Sequence, residues 1–223
     1  MAVTDGAILQ IKEMIVSGDL VPGSKLPPEK ELSDRLGLSR SSLREAVKAL
    51  EVIRVLDVRR GDGTYVTSLE PRLLLEAMNF VVDLHQDDSV LEILAVRRML
   101  EPQAAAVAAR EASPEQLENL EEILREIGDD TEVEGLIEHD LKFHRHIVES
   151  TGNKYLTSLI DSLSSRTVRA RVWRGITQAG AVARTIDEHR AILDALRSGD
   201  AELTAALTLA HVSGVERWLR DAR

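Results

Sequence analysis

Asp140 and His144 stand four residues apart in Glu138-His139-Asp140-Leu141-Lys142-Phe143-His144, so on a helix both project from one face. The pair can serve as a simple hydrogen bond or as two ligands for a divalent ion. Two further histidines fall in other helical stretches: His189 lies in Glu188-His189-Arg190-Ala191-Ile192, and His211 in the last one. Imidazole and carboxylate donors from three helices of a bundle suit a divalent metal such as Zn, Ni or Mn. The remaining histidines, His85, His139 and His146, read as satisfied or solvated side chains. With no cysteine in the chain, thiolate metal sites, disulfides and cysteine nucleophiles are excluded.

A second set could bind rather than coordinate. Arg40, Arg44 and Lys48 recur every four residues, and at about 100° per residue they share one helical face. At the start of that helix, Ser39, Ser41 and Ser42 sit where free backbone N–H groups can take a phosphate. An arginine fork can pair with guanine O6 and N7 in the major groove. The same row also fits a solvated face paired with Glu45 or Glu51. The net charge of −10 looks unfavourable for nucleic acid until its distribution is examined. Residues 1–66 carry ten basic and ten acidic residues, so the whole excess lies in residues 67–223; residues 24–60 carry nine basic against six acidic.

Those residues need elements to position them. Ile8, Ile11 and Ile15 define an apolar face over Thr4–Ser17, closed by Gly18. Val21 to Glu29 reads as a turn, with Pro28 suited to a first helical position and Glu29 and Glu31 to the positive end of a helix. A short helix runs to Leu36 and Gly37. Ser39 then caps a second helix whose core stripe is Leu43, Ala46, Val47 and Leu50. Val55–Val58 and Thr64–Thr67 flank Gly61-Asp62-Gly63, a hairpin signal. Helix, short helix, turn, helix, hairpin is the order of a winged helix-turn-helix.

Thr67-Ser68-Leu69-Glu70-Pro71 breaks the pattern, which puts a domain boundary after residue 69. Beyond it six or seven helices are predicted, over residues 71–84, 90–111, 114–127, 133–150, 155–177, 179–197 and 201–221. The expected fold is mainly α: a winged helix-turn-helix with a small β-hairpin wing in residues 1–69, then an all-α bundle in residues 70–223. No stretch has the roughly 18 uncharged apolar residues of a membrane span, and the start lacks signal-peptide character, so a cytoplasmic protein is expected.

Three blocks carry a resemblance to the GntR family of bacterial regulators: Pro22-Gly23-Ser24-Lys25-Leu26-Pro27-Pro28-Glu29-Lys30-Glu31-Leu32, Leu38-Ser39-Arg40-Ser41-Ser42-Leu43-Arg44-Glu45-Ala46, and Arg60-Gly61-Asp62-Gly63-Thr64-Tyr65-Val66. The resemblance implies operator contacts by Arg40, Ser42 and Arg44, by Lys30, and by Arg60 and Gly61 in the wing, with Ser41 beside them at the helix start. The chain departs from the family pattern at Lys30, where arginine is usual, and at Arg54, where a glycine usually closes the recognition helix. Lysine lacks the bidentate fork and is expected to hold phosphate; a side chain at residue 54 tolerates a left-handed cap poorly.

Residues 70–223 resemble the FadR-type (FCD) ligand-binding domain, through Val96-Arg97-Arg98-Met99-Leu100-Glu101, Asp140 to His144, Gly152-Asn153-Lys154-Tyr155-Leu156, and Glu188-His189 through Gly199-Asp200 to His211. In its metal-binding branch the ligands are one Asp and three His, which implies Asp140, His144, His189 and His211. The resemblance also implies a small carboxylate or sugar-acid effector, with an arginine neutralising its charge. Arg97 is the first candidate, against a plain salt bridge to Glu101; Arg169 and Arg171 are others. The expectation is a homodimeric repressor reading a pseudo-palindromic duplex operator. Two alternatives stand beside it: a metal-dependent hydrolase with Glu188 as base, and a regulator whose metal is structural or absent.

Overall fold

The computed structural model describes residues 3–73, 75, 89–128, 131–178 and 180–222. The chain folds as two compact units, Met1–Val81 and Val82–Arg223. Their junction, and most of the helix expected over 71–84, lie outside the described residues; Pro71–Leu73 form its first turn.

In the first unit, α1 (Val3–Val16) buries Ala7, Ile11 and Met14. The eight-residue α2 (Glu29–Leu36) follows Pro28, which occupies the N-cap rather than the first helical position; Gly37, at φ +67°, ends it. In α3 (Arg40–Val52) the Ser39 side chain accepts from Ser42 N at 3.1 Å, and the serine cap sets the start of the helix. Leu43, Ala46 and Leu50 of its stripe are buried, with Val47 half-buried, against Leu32, Leu56 and Val66. Each fully buried leucine contributes about 1.5–3 kcal/mol.

α3 ends in a Schellman arrangement, with Val55 N donating to Leu50 O and Arg54 N to Glu51 O. The residue in the left-handed position is Arg54, at φ +62°. Strands β1 (Leu56–Arg59) and β2 (Gly63–Val66) pair antiparallel, Leu56 opposite Val66 and Arg59 opposite Gly63. The segment before α2, expected to be only a turn, also joins this hairpin. Lys25 bridges to Tyr65, Leu26 N donates to Thr64 O, and Val66 N to Ser24 O. Interspersed proline and glycine hid this pairing by leaving no period-two pattern.

In the second unit, α4 (Ser89–Glu111) packs chiefly against α10 (Ala201–Asp221). α4 runs through Pro102. α5 (Pro114–Arg125) starts in a Ser113/Gln116 capping box. α6 (Val133–Glu149) and α9 (Ala181–Ser198) lay Phe143, Ile147, Ile192 and Leu196 into a core with Leu120. The single helix expected over 155–177 is two, α7 (Lys154–Arg166) and α8 (Val168–Thr177). Thr167 separates them: its Oγ1 donates to Ser164 O at 3.0 Å and accepts from Arg97 Nη1 at 2.9 Å, a side-chain competition that interrupts helix. Gly175 lets α8 lie close on α6, since a Cβ there would come within 2.6 Å of Val133 Cγ1.

Among the described residues, the second unit thus holds seven helices. No helix among them is long and apolar enough to cross a membrane.

Candidate metal centre and DNA-reading surface

The buried face of α6 presents Asp140 and His144, α9 presents His189 and α10 His211; all four side chains are buried. One donor atom from each lies within 4.8 Å of the others. Asp140 Oδ1 stands 3.4 Å from His189 Nε2, 3.5 Å from His211 Nε2 and 3.7 Å from His144 Nε2. Donors about 2.0–2.1 Å from a common ion would be spaced by roughly 3.4 Å in a tetrahedron. His144 Nε2 is buried with no hydrogen-bond partner, a costly state for a polar atom unless something binds it. The donor set therefore fits a divalent ion, a reading that the spacing of Asp140 and His144 alone had left open beside a plain hydrogen bond.

Each imidazole is held from its other nitrogen. His144 Nδ1 lies 2.8 Å from Glu101 Oε2, His211 Nδ1 2.7 Å from Glu188 Oε2, and His189 Nδ1 3.0 Å from His139 Nε2. Phe143 stacks on the His189 ring at 4.3 Å. Arg171 Nη1 binds Asp140 Oδ2, and Arg171 Nη2 donates to Ser164 O. Outer partners of this kind fix tautomer and ring orientation. His139, expected to be an ordinary histidine, is part of this shell. Sequence reading also missed Glu101 in this role, although its four-residue spacing from Arg97 was visible.

The electrostatics keep the ligands ready. Burial pushes His189 well below the ordinary histidine value, with His211 and His144 adding to it; burial likewise lowers His144. Burial brings His139 down to about 4. For Glu101 burial acts upward, but Arg97 and His144 outweigh it and hold the carboxyl well below the usual range. Neutral imidazole is the form that ligates a metal.

The arginines divide. Arg97 is buried, with Nε 2.5 Å from Glu101 Oε1. Arg171 and Arg174, also buried, border a narrow cleft with Asp140, Thr185 and His211. Arg169 is exposed. Glu188 uses Oε2 on His211 Nδ1, the nitrogen other than the one facing Asp140, so it is placed to orient a ring rather than to activate a water.

In the first unit Lys30, Arg40, Ser41, Arg44, Arg60 and Gly61 are exposed and Ser42 is half-buried. Arg44 Nε lies 2.7 Å from Glu29 Oε1. Gly61, at φ +79°, and Gly63, at φ +150°, form the wing turn. Asp62 between them accepts from Lys25 Nζ at 3.2 Å and Tyr65 OH at 2.9 Å. The Arg59 guanidinium covers the Tyr65 ring at 4.2 Å.

Comparison with known proteins agrees with both halves. Residues 4–66 match bacterial regulatory proteins of the gntR family, and residues 92–214 match the FCD domain. The chain is 30% identical over 210 residues to the HTH-type transcriptional regulator LutR of Bacillus subtilis, covering 91% of this chain and 94% of that one. It is 32% identical over 217 residues to the galactonate operon transcriptional repressor of Escherichia coli, covering 92% and 93%. A Streptococcus agalactiae GntR structure aligns at TM-score 0.75 and 26% identity, over 96% of this chain and 99% of that one. With a winged helix at one end, a buried Asp/His3 cluster at the other, and regulators rather than enzymes as relatives, the chain belongs to the gntR family of DNA-binding transcriptional regulators with an FCD domain.

Proposed function

We propose that this protein is a cytoplasmic, homodimeric repressor that releases or repositions a pseudo-palindromic operator when a small organic or sugar acid binds. Residues 1–69 read the DNA: Arg40, Arg44 and Arg60 with Ser41, Ser42 and Gly61, and Lys30 on phosphate. Residues 70–223 sense the acid and dimerise. The convergence of Asp140, His144, His189 and His211 on one buried point carries the sensing half of this reading. These four would hold a divalent ion, with Zn, Ni and Mn all compatible with the donor types. When bound, the ion supplies coordination positions for a carboxylate or hydroxyl oxygen.

The chain's own residues supply the rest. Arg171 and Arg174 border the cleft beside Asp140 and His211 and offer charge to an acid; Arg97 holds Glu101. A relative named for a galactonate operon fits this class, since galactonate carries a carboxylate with an adjacent hydroxyl. The effector alters DNA binding only through different affinities for two dimer geometries.

The test screens organic and sugar acids by thermal shift, with and without added divalent metal, because a specific ligand stabilises the folded state by mass action. We expect a metal-dependent rise in Tm for a hydroxy acid, and loss of bound metal in Asp140→Ala and His189→Ala. Unchanged metal content in both variants would sink the site. Selection from a random duplex library should return a pseudo-palindrome; failure to enrich any sequence would refute the DNA half.

A further inference from the structure

Arg44 stands in the second turn of α3 on the exposed face, and its guanidinium is anchored in the DNA-free protein by Glu29, the first residue of α2. We propose that Glu29 is a positioning residue for sequence reading: it fixes the Arg44 guanidinium in the pose that reads a guanine. The proposal rests on Arg44 being a base-reading residue.

The place of Glu29 is set by rigid parts. Pro28 fixes the chain at the N-cap, φ −50°, and a carboxylate at the first helical position is favoured by the helix dipole. Glu29 and Arg44 both line a groove of about 710 Å³ that Lys48 of α3 and Val58 and Thr64 of the wing also border. The carboxylate therefore faces the side on which DNA phosphates are expected, where a negative charge weakens binding. Its pairing with Arg44 offsets that cost.

Nε is the guanidinium nitrogen nearest the carboxylate, an ion pair in which Glu29 Oε1 accepts no hydrogen bond. An arginine held through Nε keeps its terminal nitrogens for the paired O6 and N7 of guanine. Ordering a free arginine side chain costs rotamer entropy, and a carboxylate that orders it beforehand moves that cost out of the binding step. The pair is half-exposed, at 66% and 37% for the two side chains, so it adds little to folding stability. Its value is positional.

Charge and position predict opposite signs for one substitution. With a duplex selected by the wild-type protein and a random duplex, Kd is measured at one fixed salt concentration for full-length Glu29→Gln, Glu29→Ala and Arg44→Ala. We expect both Glu29 variants to lose about tenfold on the selected duplex while holding or gaining affinity for the random one, with Tm unchanged. The loss should vanish on a duplex whose Arg44-dependent G·C pair is replaced. Glu29→Gln keeps the side-chain shape and covers the case in which Ala unsettles the start of α2. Wild-type or tighter binding of the selected duplex by both Glu29 variants would overturn the proposal while leaving the recognition helix intact. Wild-type binding by Arg44→Ala would overturn the recognition-helix reading, and the role of Glu29 with it.

Discussion

His211 Nδ1 lies 2.7 Å from Glu188 Oε2, while Nε2 of the same ring faces Asp140 Oδ1 at 3.5 Å. One imidazole thus joins α9's carboxylate to the centre of the donor cluster. Although burial acts upward on Glu188, its hydrogen bond to His211 and the nearby arginines keep it below the ordinary glutamate value, so it stays an acceptor. We predict that Glu188→Ala folds normally but loses metal affinity by about 10–100-fold, the usual cost of removing such a partner. Competition with a chelator of known affinity measures this. Unchanged affinity would show that His211 needs no orienting group.

The lowered histidines give the metal-stripped protein a defined pH response. In the unfolded chain each takes a proton near pH ~6.5; folded, His144 and His189 resist it and His139 does so down to about 4. The unfolded state thus binds more protons below ~6.5, and stability falls as pH falls, by about 1.4 kcal/mol per pH unit for each such group. Glu101 adds a loss in the same direction only below its unfolded value of 4.5. Thermal unfolding in chelator should show Tm steady above pH 7 and dropping steeply from 6.5 toward 5. A flat profile across that window would contradict burial of neutral imidazoles.

What was legible in the sequence follows physical range. The Leu43–Leu50 stripe, the Ser39 cap and the Gly-Asp-Gly turn are local, and α3 and the hairpin appear where those signals put them. Asp140 and His144 are also local neighbours, whereas their meeting with His189 and His211 depends on the packing of three helices, and only family resemblance supplied it. Thr167 broke a predicted helix because its partner, Arg97, is 70 residues away. His139 looked ordinary because a ring that supports another ring leaves no spacing signature.

Arg54 occupies left-handed backbone at φ +62°, a conformation costing a side chain roughly 1–2 kcal/mol and glycine almost nothing. Part of the gain from glycine is returned as greater entropy of the unfolded chain. Arg54→Gly is therefore expected to stabilise the winged helix by about 0.5–1 kcal/mol. Hydrogen exchange of the α3 amides reads this unit separately from the rest of the chain. Slower exchange supports the cap argument; faster exchange would mean the arginine side chain contributes more than its backbone costs.

α8 connects the candidate effector site to a spectroscopic reporter. Its inner face carries Arg171, bound to Asp140, and Arg174. Trp173, on the same helix, meets Trp218 of α10 edge-to-face at 5.0 Å, and these are the only two tryptophans in the chain. The cleft beside Arg171 encloses about 20 Å³, room for roughly one water. A hydroxy acid is several times larger, so binding there requires Arg171 or all of α8 to move, and Thr167 already separates α8 from α7. Tryptophan emission should therefore change on titration with an acid that raises Tm, saturate with the same Kd as calorimetry, and lose most of its amplitude in Trp173→Phe. The change should also disappear in Asp140→Ala, which removes the group Arg171 holds. Saturable binding with constant emission would place the acid elsewhere or leave α8 fixed.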